Sequence, residues 1–150
     1  MTDCRFLFQS ATKISIIIPA FNEEDRILPL LQKLATLQTP AEAIELIIVD
    51  DGSSDRTSDI CQQEIEHQFP RGKLITLEKN SGKGNALRTG VAVSSSPVVI
   101  TMDADMATDL SAMEPAIKGL QEHHIVVGSR SIKGSLSQGI TSARRFVTIG

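Results

Sequence analysis

At 150 residues the chain suits a single domain able to bury about 70% of its unfolded surface, and its 41% apolar and 22% charged residues are an ordinary globular balance. A net charge of -3 argues against a general electrostatic attraction to nucleic acid or anionic lipid, and with no Trp, no Tyr and five Phe there are few stacking platforms for bases. Cys4 and Cys61 are too far apart for a CxxC metal site and too few for a disulfide framework; no charged leader precedes a long apolar core, and no window approaches the roughly 20 apolar residues of a membrane span, so the expectation is a soluble, cytoplasmic chain.

Residues 1–13 lack periodicity and read as an N-terminal arm. Ile14-Ser-Ile-Ile-Ile-Pro19 is too short for a helix and rich in β-branched residues, the pattern of a strand buried on both faces. Asn22 is placed to cap a helix with Glu23, Glu24 and Asp25 in its first turn, and the stripe from Ile27 to Leu37 continues it until Thr39-Pro40. A second strand follows at Ile44 to Val49, then the turn Asp50-Asp-Gly-Ser-Ser-Asp55 and a helix from Asp55 to Gln68 that places Cys61 in the core. Lys73 to Leu77 is more polar, as an edge strand would be. Asn80-Ser-Gly-Lys-Gly84 leads into a helix from Asn85 to Val93, and Val98 to Met102 forms the fourth strand. Ser111 and Glu114 have capping-box spacing for a helix from Ala112 to Glu122. Ile125-Val-Val-Gly128 reads as a fifth strand, residues 130–140 as a Gly- and Ser-rich loop, and Thr141 to Ile149 as the beginning of a further helix. Strand and helix alternating in this way predict a three-layer, Rossmann-like α/β fold: an open, mostly parallel sheet covered on both faces. Such sheets bind ligands outside the carboxyl ends of their strands.

The chemistry collects at those ends. Residues two apart in a strand point the same way, so Asp103 and Asp105 are expected to face one pocket with Ala104 turned away. Two carboxylates that close repel unless a cation joins them. Hard oxygen donors suit Mg²⁺ or Mn²⁺, and Mg²⁺ is commonly shared with substrate phosphates; an isolated Asp-x-Asp is equally a solvated turn. Pro19 to Glu23 either offers main-chain groups and a carboxylate to a nucleoside or simply starts a helix. Asp51 before Gly52 either accepts from a base N–H or makes an Asx turn. Lys83 lies between Gly82 and Gly84, but the spacing is not that of a P-loop. Arg88 reads as a solvated helix residue, Arg130 after Gly128-Ser129 as either an anion-binding fork or a surface Arg, and His67, His123 and His124 as structural.

Taken in order, Ile-Ile-Ile-Pro-Ala-Phe-Asn-Glu, Ile-Val-Asp-Asp-Gly-Ser-Ser-Asp, Asn-Ser-Gly-Lys-Gly-Asn-Ala, Met-Asp-Ala-Asp and Val-Gly-Ser-Arg resemble the family 2 glycosyltransferases of GT-A fold across residues 14–130. Within that family the chain is most similar to the polyprenyl-phosphate (dolichyl-phosphate) glucosyl- and mannosyltransferases, with Asp103 to Thr108 and Arg144-Arg145 leaning toward the glucosyl side. The resemblance implies transfer of a sugar from a nucleotide-diphosphate sugar to polyprenyl phosphate, metal-dependent and inverting. It places Pro19, Ala20, Glu23 and Asp51 at the base and ribose, Lys83 nearby, Asp103 at the ribose and metal, Asp105 as the main ligand of Mg²⁺ or Mn²⁺, and Arg130, with Arg144, at the acceptor phosphate or diphosphate.

Two departures from the family pattern carry consequences. Where mannosyltransferases of this type often add a Gln to the metal, this chain has Ala107, so water, diphosphate or another residue must complete the coordination. The family's catalytic domain also continues further, which leaves residues 14–150 as a GT-A domain without its acceptor-side part. The alternatives are a family 2 transferase for cell-surface polysaccharide, and a non-catalytic nucleotide-binding module that needs a partner chain. Peripheral association with the cytoplasmic face of a membrane, and self-association through bare sheet edge, are further expectations.

Overall fold

The computed structural model describes residues 13–37, 43–105, 110–120 and 122–128. They belong to two units, divided after residue 109. The first unit contains β1 (Ile14–Ala20), α1 (Ile27–Ala35), β2 (Ile44–Asp50), α2 (Thr57–Gln68), β3 (Lys73–Thr76), α3 (Lys83–Val93) and β4 (Val98–Thr101). The second contains a 3₁₀ turn at Leu110–Ala112 and α4 (Met113–Gly119).

The four strands form one sheet in the order β3-β2-β1-β4, with every pairing parallel. Pairing starts at the amino end of β1, where Ile14 sits opposite both Ile44 and Val98. Parallel strands need crossovers, and crossovers of one hand place their helices according to the direction of travel. The steps β1 to β2 to β3 run one way, putting α1 and α2 on one face; the return from β3 to β4 reverses direction and puts α3 on the other. Ile17, Ile47 and Val49 accordingly pack with Ala86 of α3. The alternate residues Ile16, Ile18 and Ile48 are also wholly buried, so the two central strands have no solvent face.

On α3 the close approach falls at Gly90, where a Cβ would lie 2.4 Å from Ile17 Cγ2 and 3.3 Å from Val49 Cγ2. At the amino end of the sheet Glu45 is only 2% exposed. Its carboxylate accepts from Ser15 Oγ (2.5 Å), Lys73 Nζ (2.7 Å), Ser95 N (2.8 Å) and Ser95 Oγ (3.0 Å). Burial would raise the Glu45 pKa, but Lys73, Ser15 and Ser95 outweigh it and hold the carboxyl at about 2.

Several sequence expectations are corrected. Asn22 does not cap α1: it adopts a left-handed conformation (φ 52°) and its amide oxygen accepts from Ser54 N at 2.9 Å. The acidic run forms the turn before α1, because the N–H groups of Glu23 and Glu24 find Thr57 Oγ1 and Asp55 Oδ2 in the neighbouring loop. Those tertiary partners displace the local cap. Asp55 likewise precedes α2, accepting from both the N–H and hydroxyl of Thr57. α3 starts two residues early, taking Lys83 into its first turn, and α4 is confined to Met113–Gly119 after a 3₁₀ turn. Ile125–Gly128 joins no ladder among the described residues. β-branched residues suit a strand, but a strand exists only where a neighbour supplies its hydrogen bonds; here Val126 rests beside Gly119 at the end of α4. The N-terminal arm, the 130–140 loop and the helix expected from Thr141 lie outside the described residues.

Two stability experiments follow from this packing. Gly90→Ala should lower the unfolding free energy in urea by about 1–3 kcal/mol, because overpacking against Ile17 outweighs the roughly 1 kcal/mol gain in helix propensity. The depressed Glu45 pKa contributes stability that is complete above the unfolded carboxyl's value of 4.5 and is lost as pH falls toward about 2. Its share is roughly 3 kcal/mol, and Glu45→Gln should flatten the fall in stability measured between pH 5 and pH 2.

Candidate donor-binding site

Three loops and the end of a fourth strand meet at the carboxyl edge of the sheet, each held there by identifiable bonds. β2 ends in two acidic residues with separate tasks. Asp50 Oδ1 accepts from the N–H (3.0 Å) and hydroxyl (2.5 Å) of Ser53, closing the turn after β2. Asp51, only 3% exposed, accepts from Ser81 N at 2.8 Å through one oxygen and Gly82 N at 2.7 Å through the other. Its carboxylate therefore fixes the loop between β3 and α3. Gly52 permits the approach: its φ is +75°, and a Cβ there would come within 2.7 Å of the Lys79 carbonyl carbon.

The loop after β1 is tied to the same turn. Asn22 N donates to Ser53 Oγ at 2.9 Å, and Arg56 N donates to Glu24 at 3.0 Å. After β4 the backbone leaves the ladder at Thr101, yet side chains go on alternating, with Met102 and Ala104 buried and Asp103 and Asp105 exposed.

These segments enclose a cavity of about 440 Å³ lined by Pro19, Ala20, Glu23, Asp51, Lys83, Asp103 and Asp105, a size suited to a small-molecule ligand. All seven were singled out from the sequence as site candidates. Phe21, Arg26, Asn80 and Gly82 also line it. Arg26 carried no readable signal, since a basic residue ending an acidic run reads as helix surface; Phe21, 42% exposed directly after a strand end, could have been found from that position alone. Arg130, Arg144 and Ala107 lie outside the described residues.

Four carboxylates and two basic groups face the cavity. Lys83 Nζ is 2.7 Å from Asp103 Oδ1, with both side chains about half exposed. Arg26 Nε is 2.6 Å from Glu23 Oε2. Burial raises the Glu23 pKa; Arg26 opposes the rise, while the nearby charges of Asp105 and Asp55 add to it. Asp103 and Asp105 present exposed oxygen donors to the cavity, the donor chemistry that hard divalent cations take. No cluster of three or more His, Cys, Asp or Glu suited to a metal occurs among the described residues, so a cation held by these two would complete its shell from water or ligand oxygens. No helix among the described residues is long and apolar enough to cross a membrane.

Comparison with known proteins gives this arrangement its relatives. The human dolichyl-phosphate beta-glucosyltransferase is 38% identical over 128 residues, covering 77% of this chain. The undecaprenyl-phosphate 4-deoxy-4-formamido-L-arabinose transferase of Photorhabdus laumondii is 33% identical over 124 residues, covering 82% of the chain. The chain spans 38% of the length of each of these two relatives. In three dimensions it resembles a mannosyltransferase from Pyrobaculum calidifontis in complex with GDP-Man and Mn²⁺, with a TM-score of 0.67 and 24% identity, over 75% of this chain and 33% of that one. That likeness is one of fold: the parallel α/β sheet expected from the sequence is the sheet of this structural class. With residues 15–148 matching the family description "Glycosyl transferase family 2", the chain belongs to glycosyl transferase family 2.

Proposed function

We propose that this chain is the nucleotide-sugar-binding part of a glycosyltransferase that moves a sugar from a nucleoside diphosphate sugar to a polyprenyl phosphate. The observation that carries the reading is the charge of the cavity: four carboxylates against Lys83 and Arg26, both already paired. An anionic diphosphate cannot settle among excess carboxylates without a cation. Asp103 and Asp105 would hold Mg²⁺ or Mn²⁺, and the Pyrobaculum relative with its Mn²⁺ is in keeping with this. Such a cation supplies Lewis-acid stabilisation to the departing diphosphate.

The chain's own residues do the remaining work. Pro19 and Ala20 line the nucleoside end with backbone, and Asp51, whose oxygens keep lone pairs beyond those used by Ser81 and Gly82, accepts from the base. Glu23 lies beside them toward the ribose. Arg130, with Arg144, is assigned to the acceptor phosphate. An acceptor phosphate oxygen forms the new bond at the anomeric carbon while the bond to the diphosphate oxygen breaks on the opposite face, which inverts the centre. That oxygen is already ionised near neutral pH, so this acceptor class needs no strong general base. The names of the two curated relatives favour a polyprenyl-phosphate acceptor over an oligosaccharide, and such an acceptor implies work at a membrane surface.

A second reading is a non-catalytic nucleotide-binding module that needs a partner chain. Transfer by the isolated chain to polyprenyl phosphate, assayed beside an oligosaccharide acceptor, separates the readings: sugar reaching neither acceptor while nucleotide still binds favours the module.

Two binding experiments test the site itself. Calorimetric titration with UDP, GDP and ADP should show one diphosphate binding only when Mn²⁺ is present. Asp105→Ala should abolish that binding and leave the unfolding midpoint unchanged, since the side chain is exposed. Asp51→Ala should weaken nucleotide binding and also cost about 1–3 kcal/mol of stability, because the N–H groups of Ser81 and Gly82 lose their acceptor. A wild-type chain that is folded yet takes up no diphosphate would refute the donor-site reading.

A further inference from the structure

One cation of the cavity stands where a helix disfavours positive charge. Lys83 is the first residue of α3, where the helix dipole disfavours positive charge, and no acidic residue in that first turn offsets it. Its ammonium reaches across to Asp103 Oδ1 at 2.7 Å. An ion pair with both partners about half exposed adds little to stability, so the pairing matters for what the site can bind. Asp103 and Asp105 emerge on the same side of the segment after β4, with Ala104 buried between them, and Lys83 supplies one of those carboxylates with a positive partner. Arg26, the other basic group lining the cavity, is 2.6 Å from Glu23.

We propose that Lys83 is a displaceable counterion: it occupies Asp103 in the empty site, yields that carboxylate to a divalent cation, and then turns its ammonium to the diphosphate. The inference rests on the donor-site reading above and extends it. A cation arriving alone must compete with Lys83 for Asp103 and so binds weakly. When a diphosphate is present, Lys83 has another anion to pair with, and the competition disappears. Each ligand thus raises the affinity for the other, and thermodynamic linkage makes the two gains equal. In this arrangement the chain takes up cation and nucleotide together and resists loading with free metal.

Uptake of Mn²⁺ without nucleotide, read from the electron paramagnetic resonance signal of the free ion, tests the idea. Wild-type protein is compared with Lys83→Met, with Lys83→Arg, which keeps the charge, and with Lys33→Met, which removes an equal charge from the exposed last turn of α1. Lys83→Met should bind Mn²⁺ about tenfold more tightly and, with Mn²⁺ present, a nucleoside diphosphate about tenfold more weakly. Lys83→Arg should stay near wild type, and Lys33→Met should change neither affinity. Unchanged or weaker Mn²⁺ binding by Lys83→Met, or an equal gain in Lys33→Met, would overturn the counterion role and leave the donor site standing, since that is judged by Asp105→Ala. If Lys83→Met, like wild type, takes up no Mn²⁺ while circular dichroism shows it folded, the counterion role falls, and the donor site is still judged by the diphosphate titration.

Discussion

The bonds made by Asp51 are the constraint on which the site depends. A buried carboxylate is costly unless its oxygens are satisfied, and here the two N–H donors come from consecutive residues of a loop that follows a different strand. The requirement to satisfy Asp51 therefore brings Ser81 and Gly82 to the end of β2. Lys83 follows directly in the chain and is carried with them. Gly52 allows the contact and Ser53 completes the turn, so a short run of sequence fixes two walls of the cavity.

Around that joint, polar bonding within the loops is nearly closed on itself. Ser53, Ser54, Asp55, Arg56 and Thr57 exchange hydrogen bonds with Asn22, Glu23 and Glu24 of the segment after β1, and none of these bonds requires a ligand. The walls are consequently built before anything binds, which limits the ordering cost of association. What remains unsettled in the empty cavity is charge. Glu23 has a raised pKa, and the exposed Asp103 and Asp105 are carboxylates whose pairing a ligand can change. Rigid walls with adjustable charge suit a site that admits an anion and a cation at once.

Much of this was legible in the sequence because the strands are so uniform. Ile14 to Pro19 and Ile44 to Val49 are apolar runs too short for helices, and their burial on both faces requires the parallel crossovers that gather the loops at one edge. The alternation through Met102, Asp103, Ala104 and Asp105 could likewise be read in advance. Two failures share a cause. Asn22 as a cap and Ile125 to Gly128 as a strand were judged from local preference, and in each a partner distant in sequence, present or lacking, decided the outcome; Asp55 instead spends one carboxylate oxygen on Thr57, two residues on. Arg26 escaped notice for a related reason: its place on the cavity wall depends on a turn that Thr57 and Asp55 impose from another loop.

The cluster around Glu45 lies at the opposite end of the sheet from the cavity, yet it bears on the cavity through length. Ser95, bound by both its N–H and its hydroxyl, marks where the chain turns toward β4, and only four paired residues, about 13 Å of strand, separate that turn from the segment bearing Asp103. A strand so short, anchored at its root, works as a fixed-length ruler. The depth at which the two aspartates emerge is set from behind, by a carboxylate that never meets the ligand.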